Sequence, residues 1–297
     1  MKSVLAAVVT HNRPILLSRC INFIQAQTYR DFEILVVDNG STVDTKELIK
    51  SKNINAIYQD NTGSAGGWYA AIEYFLSKDF EFIWLMDDDG FPEKSSLENL
   101  IDNYQKDFSC ISSIVINDDD KKSLVFPLPR LNKSEFPALL SFKKRFKTID
   151  EIDNLFENNL YPYIHPFNGV LIPRATIKKI GNVNKELFIM GDEVDYACRM
   201  KEAGKSYTLV TSLHFHPDIS KREWSQTKFY YFIKNSIILN FRYFDYPFLR
   251  SLKVVASGIL KVLTRNSLKT NLDIFFKKNL LFRAILAAIY KRIGKDF

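Results

Sequence analysis

Three carboxylates in a row, Asp87-Asp88-Asp89, follow the apolar run Phe82-Ile83-Trp84-Leu85-Met86. Adjacent charges of one sign repel unless a cation neutralises them. Hard oxygen ligands suit Mg2+ or Mn2+, which in turn can hold a diphosphate. If the strand continues through the triplet, Asp87 and Asp89 point one way and share the metal, with Asp88 facing elsewhere. The plainer alternative is an acidic turn capping a helix near Pro92. A second acidic cluster, Gly191-Asp192-Glu193-Val194-Asp195-Tyr196, is set to open a helix. There Asp192 suits an N-cap, and Asp195 pairs with Arg199 at i,i+4. Glu193 meets Ala197 at that spacing and is the carboxylate freest to act as a general base. His214 and His216 follow a later strand and are expected to point to opposite sides, so that one of them completes a metal site.

These groups need a scaffold, and the apolar runs describe one. Strand-like segments at 3–10, 33–37, 56–59 and 80–86 alternate with helical ones at 15–27, 44–51 and 68–77. That order predicts an α/β fold, a mainly parallel sheet with helices on both faces. Polar loops close three of the strands: Thr10-His11-Asn12-Arg13, Asp38-Asn39-Gly40-Ser41 and the Asp triplet. In open α/β sheets the carboxyl edge is where ligands bind. The segment 61–67, Asn-Thr-Gly-Ser-Ala-Gly-Gly, lacks the G-K-[ST] ending of a P-loop and reads as a glycine-bearing loop before a helix. Its backbone N–H groups suit an anionic ligand. Beyond Ile116 the order loosens. A polar stretch with Pro127, Pro129 and Pro137 precedes a strand at 168–173, the acidic helix, a strand at 207–211 and an aromatic helix at 226–244.

Composition excludes several classes. The 297 residues are 46% hydrophobic, which rules out a disordered chain. Cys20, Cys110 and Cys198 are odd in number and far apart, against a disulfide scaffold or zinc site and in favour of a reducing compartment. The N-terminus has no signal-peptide layout, and no apolar run reaches the roughly 18 residues of a membrane span. A cytoplasmic protein, or one on the inner face of the cell membrane, is expected. The net charge of +7 hints at nucleic acid, yet it is unevenly spread. From Pro247 to Phe297 there are 11 Lys/Arg against 2 Asp/Glu, whereas the preceding 246 residues hold 30 against 32. The basic residues avoid the motif-bearing edge and no nucleic-acid motif is present, so a nucleic-acid partner is not expected. A sugar nucleotidyltransferase would need a glycine-rich loop after the first strand, where His11-Asn12-Arg13-Pro14 stands.

The sequence resembles the inverting family 2 glycosyltransferases of the GT-A fold. The resemblance rests on VVTHNR at 8–13, ILVVDNGS at 34–41, NTGSAGGW at 61–68, WLMDDD at 84–89 and GDEVDYACR at 191–199. The five motifs stand in family order across residues 1–245, and the last three look most like the galactofuranosyltransferase branch, with rhamnosyltransferases nearby. The resemblance implies a Rossmann-like domain over 1–245, with a nucleotide-sugar half at 1–116 and an acceptor half at 117–245. It implies that Thr10, Asn12 and Arg13 line the nucleotide pocket, with Asp38 near the base. Asn61, Gly63, Gly66, Gly67 and Trp68 would meet the nucleotide or donor sugar, and Asp88 would face the donor. Asp87, Asp89 and His216 would hold Mn2+ or Mg2+, with His214 as the fallback. Glu193 would be the base and Asp192 would hold the acceptor. The implied reaction moves a sugar, galactofuranose from UDP-galactofuranose or rhamnose from dTDP-rhamnose, onto a lipid-linked or polysaccharide acceptor in cell-surface glycan synthesis, O-antigen included. A degenerate member that only binds sugar is disfavoured by the intact acidic clusters.

The remaining segment, 246–297, carries the excess charge. Leu249, Leu252, Val255, Ile259, Leu260 and Leu263 recur at helical spacing, with Lys253, Lys261 and Arg265 between them. Basic amphipathic helices of this kind lie on anionic membranes, each cation adding about 1 kcal/mol near the headgroups. The alternative is a pair of helices packed on the body or on another subunit of an oligomer.

Overall fold

Every residue of the first strand, β1 (Val4–Thr10), is buried, and alternate residues serve two different cores. The computed structural model describes residues 3–139, 145–152, 155–220 and 222–297. The N-terminal half alternates strands and helices: α1 (Pro14–Gln25), β2 (Phe32–Asn39), α2 (Val43–Ser51), β3 (Asn55–Gln59), α3 (Gly63–Ser77) and β4 (Phe82–Asp87). Next come the two-residue β5 (Phe91–Pro92), α4 (Ser96–Asn103), β6 (Phe108–Asn117), β7 (Ser123–Leu128), β8 (Phe146–Thr148) and β9 (Leu160–Tyr161). The second half continues with β10 (Asn168–Pro173), α5 (Arg174–Ile180), α6 (Asp192–Ala203), β11 (Lys205–His216) and α7 (Gln226–Tyr243). Leu5, Ala7 and Val9 face α3, α5 and α6 through Trp68, Phe75, Ile177 and Tyr196. Val4, Ala6 and Val8 face α1, α2 and α4 through Leu17, Ile21, Ile49 and Leu97. Period-2 alternation in a strand buried on both faces produces this division. Trp84 and the three free cysteines are buried in the interior.

The main sheet runs β3-β2-β1-β4-β10-β6-β11-β5. The chain therefore has the expected α/β architecture, with parallel pairing of β3, β2, β1 and β4 and again of β6 with β11. Two strands of this order depart from it: the two-residue β5 at the edge is antiparallel to β11, and in the interior β10 is antiparallel to both β4 and β6. Two successive antiparallel pairings restore the direction, so the carboxyl ends of β1, β2, β4, β6 and β11 share one edge. At that edge β10 contributes its beginning, where the Phe167 carbonyl accepts from the Asp87 N–H at 2.9 Å.

Helix α3 begins at Gly63 rather than at Trp68, so the glycine segment is mostly a helical first turn and not a loop. Partners from elsewhere override its poor propensity. Asn61 Oδ1 accepts from the Gly63 N–H (3.0 Å), the Phe188 carbonyl accepts from the Ala65 N–H (3.1 Å), and Asn39 Nδ2 donates to the Gly63 carbonyl (2.8 Å). Bonds of this kind satisfy the N–H groups that a helix start leaves open.

The C-terminal segment forms α8 (Pro247–Arg265), α9 (Leu268–Leu272), a π-helical stretch (Asp273–Lys277) and α10 (Leu280–Ile289). It shares one core with α7, in which Phe229, Ile233, Val262, Ile274, Leu280 and Ala284 are buried together. Residues 246–297 are thus packed on the body. Among the described residues no helix is long and apolar enough to cross a membrane. The final residues close onto α7. Lys234, fully buried, donates from Nζ to Asp296 Oδ1 at 2.6 Å and to the Gly294 carbonyl at 3.1 Å, while the Tyr230 hydroxyl donates to Asp296 Oδ2 at 2.8 Å. Removing one partner of a buried pair strands the other charge. Asp296→Ala is expected to lower unfolding stability by about 3 kcal/mol, the low end for such pairs because Asp296 is partly exposed. Chemical denaturation measures it, and a loss of less than about 1 kcal/mol would show that the pair contributes little more than an exposed one.

Candidate functional site

Strand β4 stops at Asp87, and Asp88 and Asp89 lie in a turn. The period-2 expectation for the triplet therefore fails: with the strand ended, Asp88 and Asp89 converge. Arg13 Nη1 lies 3.0 Å from both Asp88 Oδ1 and Asp89 Oδ2. The Thr10 hydroxyl donates to Asp88 Oδ2 at 2.7 Å, and Arg222 Nη1 donates to Asp89 Oδ2 at 3.0 Å. From the other side, Arg19 donates to the Asp89 carbonyl at 3.0 Å. Burial raises the Asp88 carboxyl above its ordinary range against the pull of Arg13 and Thr10. Burial and the charges of Asp89 and Asp88 push Asp87 well above it. For Asp89 the effect of burial is overcome by the hydrogen bond and charge of His216, together with Arg13, and its carboxyl is held well below the usual range.

His216 Nε2 lies 3.0 Å from Asp89 Oδ1, and its Nδ1 lies 2.8 Å from the Pro217 carbonyl. A carbonyl only accepts, so Nδ1 carries the proton that donates to it. The Nε2 lone pair then faces a carboxylate oxygen, an arrangement that requires either a proton or a shared cation. A carboxylate beside an imidazole whose far nitrogen is fixed by a backbone carbonyl is a donor set that suits a divalent ion. Asp89 and His216 are the residues that would hold it. Among the described residues no group of three His, Cys, Asp or Glu side chains is gathered for a metal, so the expected set of Asp87, Asp89 and His216 is only partly assembled.

His214, the expected fallback, hydrogen-bonds to no carboxylate among the described residues. It shares a strand face with His216, as residues two apart must, rather than pointing to the opposite side. Both of its ring nitrogens are buried without a partner among the described residues, and burial pushes its pKa down to about 3. Its ring lies so near the backbone that a Cβ on Gly90 would stand 2.3 Å from its Nε2.

The other expected donor residues divide. Thr10 and Arg13 reach the acidic turn as described. Asn12, with φ of 56°, accepts from the Thr42 N–H at 2.7 Å and ties the first loop to the second. Asp38 is fully buried; its Oδ1 accepts from the Ser41 N–H at 3.0 Å, and its Oδ2 has no partner among the described residues. Asn61 is exposed and lies 3.3 Å from the His11 ring. The glycines and Trp68 are not presented to a ligand by their side-chain faces. A Cβ on Gly63 would meet the Phe188 carbonyl at 2.0 Å, and one on Gly67 would meet Val9 at 2.5 Å. Gly66 is likewise filled by Thr62. Trp68 is a core residue, 1% exposed and stacked on Phe167 at 4.5 Å. Close packing of α3 accounts for these residues, on Phe188 at Gly63, on Thr62 at Gly66, on Val9 of β1 at Gly67 and on Phe167 at Trp68.

At the second acidic cluster, the Ser64 hydroxyl donates to Asp192 Oδ2 at 2.9 Å and joins the start of α3 to that of α6. Asp192 is buried there, raised well above the carboxylate range by burial and by Glu193, and is not among the residues that line the adjacent cavity. Asp192, expected to hold the acceptor, is tied here to Ser64. Glu193 is half-buried, accepts from the Gly191 N–H at 2.9 Å and does line the cavity. That cavity, of about 560 Å3, lies between α6, α7, α8 and the chain leading into β10. Asn168 lines the same cavity, and the Phe167 carbonyl beside it accepts from the Asp87 N–H at 2.9 Å, so the cavity adjoins the acidic turn. Asp195 pairs with Arg199 at 2.7 Å, as its spacing predicts.

Three supporting residues carry little sequence signal. Arg222 lies in a charged loop with nothing to mark it. Asn39 holds Gly63 and Thr62 from within a turn motif. Asn235, on the buried face of α7, donates to the carbonyls of Leu187, Ile189 and Met190, and so fixes the loop before Glu193. A buried Asn in an aromatic helix is the one clue a reader of the sequence has.

Comparison with known proteins agrees with this geometry. The family model for glycosyl transferase family 2 matches residues 6–162. The galactofuranosyltransferase GlfT1 of Mycobacterium tuberculosis (strain CDC 1551 / Oshkosh) is 32% identical over 73% of this chain and 70% of its own length. GlfT1 of Mycolicibacterium smegmatis is 29% identical over 72% of this chain and 70% of its own. Among solved structures, the mannosyltransferase PcManGT from Pyrobaculum calidifontis, in complex with GDP-Man and Mn2+, superposes with a TM-score of 0.57. The two are 14% identical, and the match covers 98% of this chain and 88% of that one. GalNAc-T7 with UDP, GalNAc and Mn2+ gives a TM-score of 0.55 at 16% identity, over 93% of this chain and 57% of its own. These likenesses show the GT-A fold, and the chain belongs to glycosyl transferase family 2.

Proposed function

We propose that this glycosyltransferase moves galactofuranose from UDP-galactofuranose to a hydroxyl of a lipid-linked or polysaccharide cell-surface glycan. The observation that carries the reading is the pairing of clusters. Glu193 lines a cavity that reaches Asn168, and the neighbouring Phe167 carbonyl accepts from the N–H of Asp87 in the acidic turn where a nucleotide sugar's diphosphate would lie. The choice of sugar is supported by the GlfT1 relatives. In a single displacement Glu193 takes the proton of the acceptor hydroxyl. That oxygen attacks the anomeric carbon from the face opposite the leaving group, and the diphosphate departs with the bonding electron pair. Mn2+ or Mg2+ on Asp89 and His216, with Asp87 beside them, would neutralise the charge that develops on the diphosphate. Thr10 and Arg13 hold Asp88 at the donor side.

The C-terminal helices support an anionic membrane as the place where a lipid-linked acceptor is met. On α8, Leu249, Leu252, Leu260 and Leu263 are each more than half exposed and fall on one stripe, opposite the buried Arg250, Gly258 and Val262. An outward apolar stripe on a segment with 11 basic residues against 2 acidic ones has the character of an interfacial helix.

Glu193→Gln is expected to lower transfer by about 10²- to 10⁴-fold, the usual contribution of a general base, while UDP affinity stays within about twofold. Undiminished turnover would remove Glu193 as the base. In a thermal-shift screen with Mn2+, UDP-galactofuranose should stabilise the protein more than dTDP-rhamnose; the reverse order would reassign the donor. The protein should co-sediment with phosphatidylglycerol vesicles but not with phosphatidylcholine ones, and Leu252→Glu with Leu260→Glu should abolish it. Equal pelleting of the double variant would discard the membrane reading.

A further inference from the structure

The cavity beside Glu193 contains an unmet hydrogen-bonding demand. His165 and Asn168 both line it, and His165 Nε2 and Asn168 Oδ1 are buried with no partner among the described residues. Leaving a buried polar atom unsatisfied costs stability. Such atoms call for an explanation, of which an absent ligand is one. Backbone conformation adds a second, independent sign. Phe167, a bulky residue, has φ of 66°, Gly169 follows with φ of 85°, and the register slips between Asn168 and Val170. Non-glycine residues held at positive φ are strained and gather at ligand sites. Position completes the argument: Asn168 pairs with Met86, and the preceding Phe167 carbonyl accepts from the Asp87 N–H. Asn168 therefore sits between the cavity and the acidic turn, where an acceptor hydroxyl must lie to reach both Glu193 and the donor.

We propose that His165 and Asn168 bind the acceptor sugar, hydrogen-bonding hydroxyls of an uncharged hexose ring in this cavity and selecting which hydroxyl meets Glu193. Glu135, Arg145, Lys201, Arg250 and Lys253 also line the cavity, and among the described residues all but Arg145 are engaged with the protein: Lys201 pairs with Glu135, Arg250 with Asp245, and Lys253 donates to the Leu139 carbonyl. Phe126 and Tyr163 flank the His165 imidazole at 4.9 and 5.0 Å, and Phe232 lines the cavity from α7. Apolar and aromatic walls with a few convergent polar groups, enclosing about 300–1,000 Å3, are typical of small-ligand sites. Burial pushes the His165 pKa down to about 3, with Arg145 adding to it, so the ring is neutral and offers one donor and one acceptor. This assignment rests on the reading of Glu193 as the base.

The test takes the hexose methyl glycoside that gives wild-type protein its highest turnover. His165→Phe and Asn168→Ala should each raise its KM by about tenfold, the equivalent of one lost hydrogen bond, with UDP affinity by calorimetry unchanged. His165→Phe should also change the ratio of linkages formed from that of wild type. Acceptor KM within twofold of wild type in both variants would overturn the assignment. Independently of any variant's folding, wild-type protein labelled with 15N-histidine should show a saturable shift of the His165 ring nitrogens on titration with a set of hexose methyl glycosides. No shift with any of them overturns it. A shift with glycosides in a protein that rejects UDP-galactofuranose would leave this inference standing and discard the proposed donor; intact transfer without the shift would do the opposite.

Discussion

Three carboxylates on successive residues, at the end of a strand buried on both faces, set the terms for the rest of this structure. At an effective dielectric constant near 20, two unit charges about 4 Å apart repel by about 4 kcal/mol. The turn at Asp87-Asp88-Asp89 therefore forms only if other parts of the chain supply compensation. Thr10 and Arg13 come from the end of β1, His216 from the end of β11, and Arg222 from the loop beyond it. Those contributors meet because β10 enters antiparallel between β4 and β6, which leaves β1, β4 and β11 with their carboxyl ends on one edge. The sheet's departure from a purely parallel layout is thus part of how the site is assembled.

The second acidic cluster depends on a different set of ties. The loop before α6 carries positive φ at Phe188, Met190 and Gly191, and it is held from three directions. Asn235 takes three of its carbonyls, the Phe188 carbonyl accepts from the Ala65 N–H at the start of α3, and the Glu186 carbonyl accepts from the Gly294 N–H. Helix α3, helix α6 and the C-terminal segment are consequently coupled through one short loop. The C-terminal residues are more than an appendage, because they brace the backbone that positions Glu193.

Much of this was legible in the sequence, for identifiable reasons. Buried parallel strands are continuous apolar runs, so β1, β2 and β4 could be placed within a residue or two, and the polar residues closing them fall on the ligand edge. What was not legible depends on long-range packing. Nothing local distinguishes an antiparallel β10 from a parallel one, since Asn-Gly-Val-Leu-Ile-Pro is equally apolar either way. The glycines at 63–67 read as a loop because propensity alone cannot register the bonds from Asn39, Asn61 and Phe188 that make them helical. Trp68 reads as a possible sugar platform until Phe167 is seen stacked on it. Charge spacing found the amphipathic tail, yet only tertiary contact separates the face of α8 that packs on α7 from the stripe left outside. His214 and His216 are both buried, and only their partners differ, since His216 reaches Asp89 and the His214 ring nitrogens have no partner among the described residues; partners are not a property of the motif.

The claim on which the catalytic account turns is that Asp89 and His216 hold a divalent cation that carries the donor diphosphate. Calorimetric titration with UDP, in Mn2+ and in EDTA, tests it on wild type and on His216→Phe, with circular dichroism to verify the fold. The account predicts that Mn2+ tightens UDP binding by about tenfold or more in wild type and has no effect in the folded variant. An equal gain from Mn2+ in both proteins would contradict it.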